Sequence, residues 1–491
     1  GREAGYPGSE IAAGYIAGQF SKYGLEYPPG LDSYYQQVPL VFMRPDLEKT
    51  EFRIISDGEE EILMVDKDVF FFPEAGDDED ITAPIILAGY GIIAPEFKYD
   101  DYEGVNVEGK VALVFNLEPQ LSDENSIFNG DRMTKYSIPM IKARTAREHG
   151  AKALIIMQPP GPDFKPIDVN LKRYRERLEK PIVQLAGELE SLPVFYLNEW
   201  TAANILEGKV DIEDYFQQIE ENLDTQPVEL SDVTADISIR FKERREVKSP
   251  NVVGFLPANA ADPVDEAIII GAHYDHEGKT DEGILSGADD NASGVAGMLE
   301  LAESFAADDN RKRDMIFIGF AAEEKGALGS LYYTKYPLYP LDRTIAMINL
   351  DEIGRNGAAT YPGMRAPDRE ETQQNYLMVQ YSAQTPILKE INQEVVDNLE
   401  LELDFDPNVN FHGSSDQVNF HDQGIPSLFY FTGFHPDYHT VRDTPDKINW
   451  QKLENVTRLV YRVCWKLINR DLSPTFDRSI TEVEKKNRMG F

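Results

Sequence analysis

The chain predicts an α/β fold: a mostly parallel mixed sheet flanked by helices, interrupted by a second, smaller α/β module. Three observations carry that expectation. The runs IIIGAHYD (268–275), IFIGFAAEEKG (316–326) and MINLDEIG (347–354) are apolar and β-rich, then end abruptly in polar residues, as strands buried on both faces of a parallel sheet do. Between the first two of these runs, Val295, Met298, Leu299, Ala302 and Ala306 recur at helical spacing and predict a helix beginning near Ala292. Finally, the acidic run GDDEDIT (76–82) marks a change of character along the chain and a candidate domain boundary.

Taken in order, PGSEIAAGYIAGQFSKYGL (7–25) predicts an amphipathic helix, with Ser9 as N-cap, Ile11, Tyr15, Ile16 and Phe20 inward, and Gly24 as the stop. Residues 37–71 alternate apolar and polar, as in VPLVF (38–42) and EFRII (51–55), which predicts antiparallel strands. Beyond residue 76 come the strand-like runs IILAGYGII (85–93), KVALVFN (110–116), ALIIM (153–157) and LPVFYL (192–197), with helices over 138–148 and 200–206. The stretch 159–181, rich in Pro and then in Lys and Arg, reads as an exposed excursion. The strands ADISIRF (235–241) and NVVGFL (251–256) return the chain to the main sheet. The economical division is therefore residues 1–75 as the N-terminal part of the main domain, 76–229 as an inserted α/β module, and 230–491 as the main domain proper.

Composition narrows the function. A chain of 491 residues exceeds one ordinary core. Its 86 carboxylates against 48 Lys and Arg give a net charge of -38, which argues against nucleic acid and anionic membrane as partners, since both are polyanions. No apolar run reaches the ~20 residues of a membrane span. The single cysteine, Cys464, sits in the helical pattern Leu453, Val456, Val460, Val463, Leu467 and reads as core.

The strand ends carry the chemistry. In sheets of this kind, ligands bind beyond the carboxyl ends of the strands. His273 and Asp275 are two apart, so both project from one face of a strand. Adjacent Glu323 and Glu324 diverge, so one can ligate metal while the other faces the reaction. Asp289 in GADDNASG (287–294), Asp351, and His439 in DYHTVRDTPDKI (437–448) complete two imidazoles and three carboxylates. These suit two divalent ions, provided one carboxylate bridges.

HYD, GADDNASG, FAAEEKGALGS, NLDEIG and YHTVRDT, in this order, resemble the M28 family of co-catalytic zinc metallopeptidases. The likeness spans roughly 230–470, together with the N-terminal REAGYPGSE opening. Residues 76–229 resemble a protease-associated (PA) domain, through YGIIAPEFKYDDYEGVNVEGKVALVF and REHGAKALIIM. The resemblance implies two zinc ions, with cobalt or manganese as substitutes. In it, Asp289 bridges, Glu324 and His439 complete one site, and His273 and Asp351 the other. Glu323 is general base and then acid, Asp275 orients His273, and Tyr438 donates to the developing oxyanion. It further implies a cis Asp289–Asp290 peptide, peptide substrates, and a secreted or periplasmic location. His412 and Asp416, in HGSSDQVNF (412–420), border the substrate pocket in this reading. His149, His276, His421 and His435 carry no catalytic assignment.

The leading expectation is an aminopeptidase using a metal-bridging hydroxide. A carboxypeptidase, a glutaminyl cyclase-like enzyme and an inactive binding homologue are the alternatives; the intact ligand set and Glu323 argue against the last.

Overall fold

The computed structural model describes residues 1–72, 77–121, 123, 125–128, 130, 133–161, 164, 181–187, 192–357, 374–408, 411 and 415–480. The chain divides into two compact units, Gly1–Leu40 with Val247–Phe491, and Val41–Glu246. No helix among the described residues is long and apolar enough to cross a membrane.

The first unit is built on a mixed sheet. Its central strand, Ala267–His273, lies parallel to Asp314–Phe320 on one side and to Thr344–Leu350 on the other. Ser427–Phe431 extends the parallel set beyond Thr344–Leu350. Tyr376–Ser382 then runs antiparallel to Ser427–Phe431, with Glu402–Asn408 parallel beside it, and Phe241–Leu256 lies antiparallel to Asp314–Phe320. The β-branched triplet Ile268–Ile270 is wholly buried because both faces are covered: Ile268 and Ile270 join one core cluster and Ile269 the other. Burial of this kind contributes about 1.5–3 kcal/mol per side chain. Helices Pro7–Tyr23, Gly294–Ala307 and Trp450–Asn469 supply the first cluster, and Cys464 is a buried member of it. On the other face Tyr333, from Leu328–Lys335, packs near Phe420, from Gln417–Asp422.

The N-terminal helix corrects its predicted face. Ile16 and Phe20 are buried as predicted, together with Ser9, Ala13 and Ala17, but Ile11 and Tyr15 are exposed. The helix nests against a glycine-lined sheet: a Cβ on Gly254 meets Phe20 and Leu25 below 3.0 Å, and one on Gly319 lies 3.1 Å from Ile16. The sheet is small at these positions, which makes room for Phe20 and Ile16. Ser9 lies inside the helix and does not cap it; the Gly24 stop in the left-handed region is as predicted.

The second unit holds its own sheet, in the order Glu59–Leu63, Glu51–Ser56, Val228–Ile239, Glu79–Leu87, Val111–Phe115, Ala153–Met157, Val194–Leu197, Val69–Phe72. The antiparallel reading of 51–63 holds. The unit is wider than the predicted 76–229, because Val228–Ile239 pairs on both sides and draws Glu51–Ser56 into this sheet. Residues 85–93 are not one strand: Gly89 and Gly91 have positive φ, and a Cβ on Gly89 falls 2.3 Å from Asp101 Oδ1. Most of the predicted excursion 159–181 lies outside the described residues.

Candidate metal centre

The three parallel strands end level, with His273 opposite Phe320 in register, so the residues that follow them converge at one end of the sheet. His273 Nε2 lies 3.2 Å from Asp351 Oδ1 and 3.4 Å from Asp290 Oδ1. His439 Nε2 lies 2.9 Å from Asp290 Oδ2 and 3.3 Å from Glu324 Oε2. One donor group is therefore His273, Asp290 and Asp351, and a second is Asp290, Glu324, His439 and His276, each within the reach of one ion. Asp290 is the carboxylate common to both.

The shared residue is Asp290, not the predicted Asp289. The loop explains the exchange of roles. Asp290 and Asn291 leave helical geometry, with φ/ψ of -100/95° and -129/45°, so consecutive side chains diverge. The Asp443 carboxylate accepts from the amides of Asp289 and Asp290 at 2.9 and 3.3 Å. Asn291 Oδ1 accepts from Gly294 N, and its Nδ2 donates to Leu350 O. Asp289 Oδ1 is turned away, accepting from Gly354 N at 2.7 Å. The cis peptide is Asp290–Asn291, one residue later than predicted.

Asp275 is wholly buried behind His273. Its Oδ1 accepts from Glu323 N at 3.0 Å and stands 3.9 Å from His273 Nδ1, which faces the Asp275 carbonyl at 3.3 Å instead. It thus holds the Glu323 backbone, and its chain holds the imidazole. Glu323 Oε2 is 3.8 Å from His273 Nε2. Tyr438 stacks on the His439 ring at 3.8 Å. Asp416 is fully buried rather than on a rim, and its carboxyl feels His273, Asp275 and Asp351. His412 lies outside the described residues. Three non-glycine residues at the site, Ala322, Glu352 and His439, hold positive φ, a costly backbone that functional sites retain.

Sequence reasoning passed over four participants. His276 is buried with Nδ1 2.7 Å from Glu324 Oε1. Asp443 was in view inside YHTVRDT, but only the fold brings it beneath the Asp289 and Asp290 amides. Arg2 donates to the carbonyls of Tyr274, Ser286 and Gly287 and so ties two ligand-bearing loops together. Asp290 stands beside Asp289 in GADDNASG, and nothing local in the sequence distinguishes the two.

Electrostatics fit the donor set to cations. Burial pushes the Glu323 carboxyl well above its usual range; His273 opposes this, and Asp351, Asp416 and Glu324 reinforce it. Burial likewise raises Asp290, aided by Glu324. Burial works against charged imidazoles, but Asp351 and Glu323 hold His273 well above its ordinary value, and Asp290 and Glu324 raise His439 to about 10. So many buried carboxylates facing imidazole nitrogens need positive charge, which protons supply here and divalent ions supply equally well.

The sheet and its strand-end donors suit a metallopeptidase, and residues 251–464 match Peptidase family M28. Among curated proteins, Aminopeptidase YwaD of Bacillus subtilis (strain 168) is 25% identical over 88% of this chain and 78% of its own length. The uncharacterized protein YfbL of Escherichia coli (strain K12) is 30% identical over 38% of this chain and 63% of its own. Among solved structures, the aminopeptidase from Aneurinibacillus sp. strain AM-1 shares the fold at a TM-score of 0.52 and 22% identity, covering 98% of this chain and 92% of that one.

Proposed function

We propose that the protein is a dinuclear zinc aminopeptidase that removes N-terminal residues from peptides. The observation that carries this reading is the place of Asp290 in two donor groups at once. His273 and Asp351 would hold one ion and His439 and Glu324 the other, with Asp290 between them; His276 steadies Glu324 from behind. Such a pair of ions, when bound, polarises the scissile carbonyl and makes water a nucleophile near neutral pH.

The chain's own residues do the rest. Glu323 takes a proton from the attacking water and delivers it to the leaving amine, a role that suits a carboxyl raised by burial. Asp275 fixes the Glu323 backbone through its 3.0 Å hydrogen bond. Tyr438, braced against His439, donates to the developing oxyanion. The second unit acts as a protease-associated module that restricts substrate size, a role supported by the sequence likeness of 76–229. The similarity to Aminopeptidase YwaD along most of this chain favours cleavage at the N-terminus over the C-terminus.

Glu323→Gln tests the proton role. It is expected to keep both ions, measured by atomic absorption, while kcat falls by ~10²–10⁴-fold. A variant that loses metal together with activity would make Glu323 a ligand instead.

A further inference from the structure

Behind the metal centre stands a second set of converging donors that the proposed reaction does not use. Asp289, Glu352 and His435 form a compact group with metal-ligand spacing, and all three are buried, at 0%, 5% and 4% exposure. His435 Nε2 lies 3.5 Å from Asp289 Oδ2 and 4.0 Å from Glu352 Oε2. Each of these three atoms lacks a hydrogen-bond partner. A polar cluster that satisfies itself closes to hydrogen-bond distance. Donors each about 2.0–2.2 Å from a common ion must instead stand further apart than that.

The other Asp289 oxygen and the Glu352 backbone are already held. Asp289 Oδ1 accepts from Gly354 N, and the Glu352 carbonyl accepts from both the amide and the hydroxyl of Thr432. Neighbouring basic groups do not fill the gap. Arg355 pairs with Asp437 and Asp443, and Lys452, buried close enough to Asp289 to feel its charge, has an Nζ with no hydrogen-bond partner. A buried carboxylate oxygen left without a partner is costly unless a cation or proton joins it, and Asp289 and Glu352 each present one.

We propose that Asp289, Glu352 and His435 bind a third divalent ion, one structural in role. One imidazole nitrogen with two carboxylate oxygens suits zinc or manganese better than calcium or magnesium, which prefer all-oxygen sites. Ligation through Nε2 leaves the imidazole proton on Nδ1, so the long 3.3 Å approach of the Asp437 amide to that atom opens. The placement gives the ion its purpose. Asp289 is the chain neighbour of Asp290, Glu352 of Asp351, and His435 precedes His439 by one helical turn's worth of chain. An ion here pins from behind the three segments that carry ligands in front.

The test is zinc-edge anomalous diffraction from crystals of the full chain, stripped by chelator and reloaded with three equivalents of zinc. An anomalous peak within coordination distance of Asp289, Glu352 and His435 is expected. Its absence overturns the inference whether or not the other groups are filled, while an empty His273–Asp290–Asp351 group counts only against the dinuclear reading. In solution, His435→Gln and, independently, Glu352→Gln are expected to lower bound zinc by one equivalent after gel filtration. Retention of the full wild-type complement by both variants also overturns it.

Discussion

Asp290 and Asp289 are adjacent carboxylates with opposite duties, and the difference is open to measurement. Asp290→Asn is expected to lose both ions of the proposed pair and essentially all activity, because its two oxygens face His273 and His439 separately. Asp289→Asn is expected to keep that pair, since its carboxylate faces Gly354 and His435 instead. Metal content of the two purified variants decides it. The sequence made the donor types and their order legible: His273, Glu324, Asp351 and His439 all meet where the strands end. The choice between Asp289 and Asp290 was not legible. It depends on two backbone dihedral pairs and on Asp443, more than 150 residues away in the chain. His276 and His435 were passed over for a related reason, as a lone histidine gains meaning only from what packs against it.

At the scale of elements, polar networks set the shape of each unit. In the second unit Asp101 is buried and accepts from the amides of Tyr90 and Ile92 at 3.1 and 2.9 Å, and from the hydroxyls of Tyr99 and Thr225. Asp101→Ala strands the amides of Tyr90 and Ile92 and leaves the Tyr99 and Thr225 hydroxyls only each other, at 3.3 Å; each stranded donor is worth about 1–3 kcal/mol. It is expected to destabilise that unit by several kcal/mol, seen as an early transition in thermal unfolding. The strands and helices of this unit were largely legible, as in 153–157, which matches its predicted bounds. Its extent was not, because Ile54 pairs with Ala235 across a separation that no local pattern encodes. The face of the N-terminal helix was legible in part: Ile16 and Phe20 are inward as predicted, against Gly319 and Gly254, whereas Ile11 and Tyr15 are exposed and Ala13 and Ala17 are buried beside them.

For the whole molecule, metal and protons compete for one set of buried groups. Without metal, and against the effect of burial, Asp290 and Glu324 push His439 up to about 10 from an ordinary 6.5. A raised pKa contributes stability that is fully present below 6.5 and lost as pH climbs toward 10. Burial-raised Glu323 acts in the same direction, favouring the fold while protonated. The chelated protein is therefore expected to melt at progressively lower temperature between pH 6.5 and 10, and the zinc-loaded protein to show a much flatter profile across that range. Differential scanning calorimetry at several pH values checks this, and a steep, equal decline in both forms would place the titrating groups elsewhere.

The central claim is aminopeptidase chemistry at the Asp290 centre, and hydrolysis of a matched peptide panel tests it most directly. The panel holds one sequence with a free N-terminus, with an acetylated N-terminus, and with an amidated C-terminus, each assayed with zinc, with chelator, and with Glu323→Gln. The account predicts cleavage of both free-amine peptides, none of the acetylated one, and loss of activity on chelation or mutation. Cleavage that tolerates acetylation but fails on the amidated peptide would contradict it and make the enzyme a carboxypeptidase.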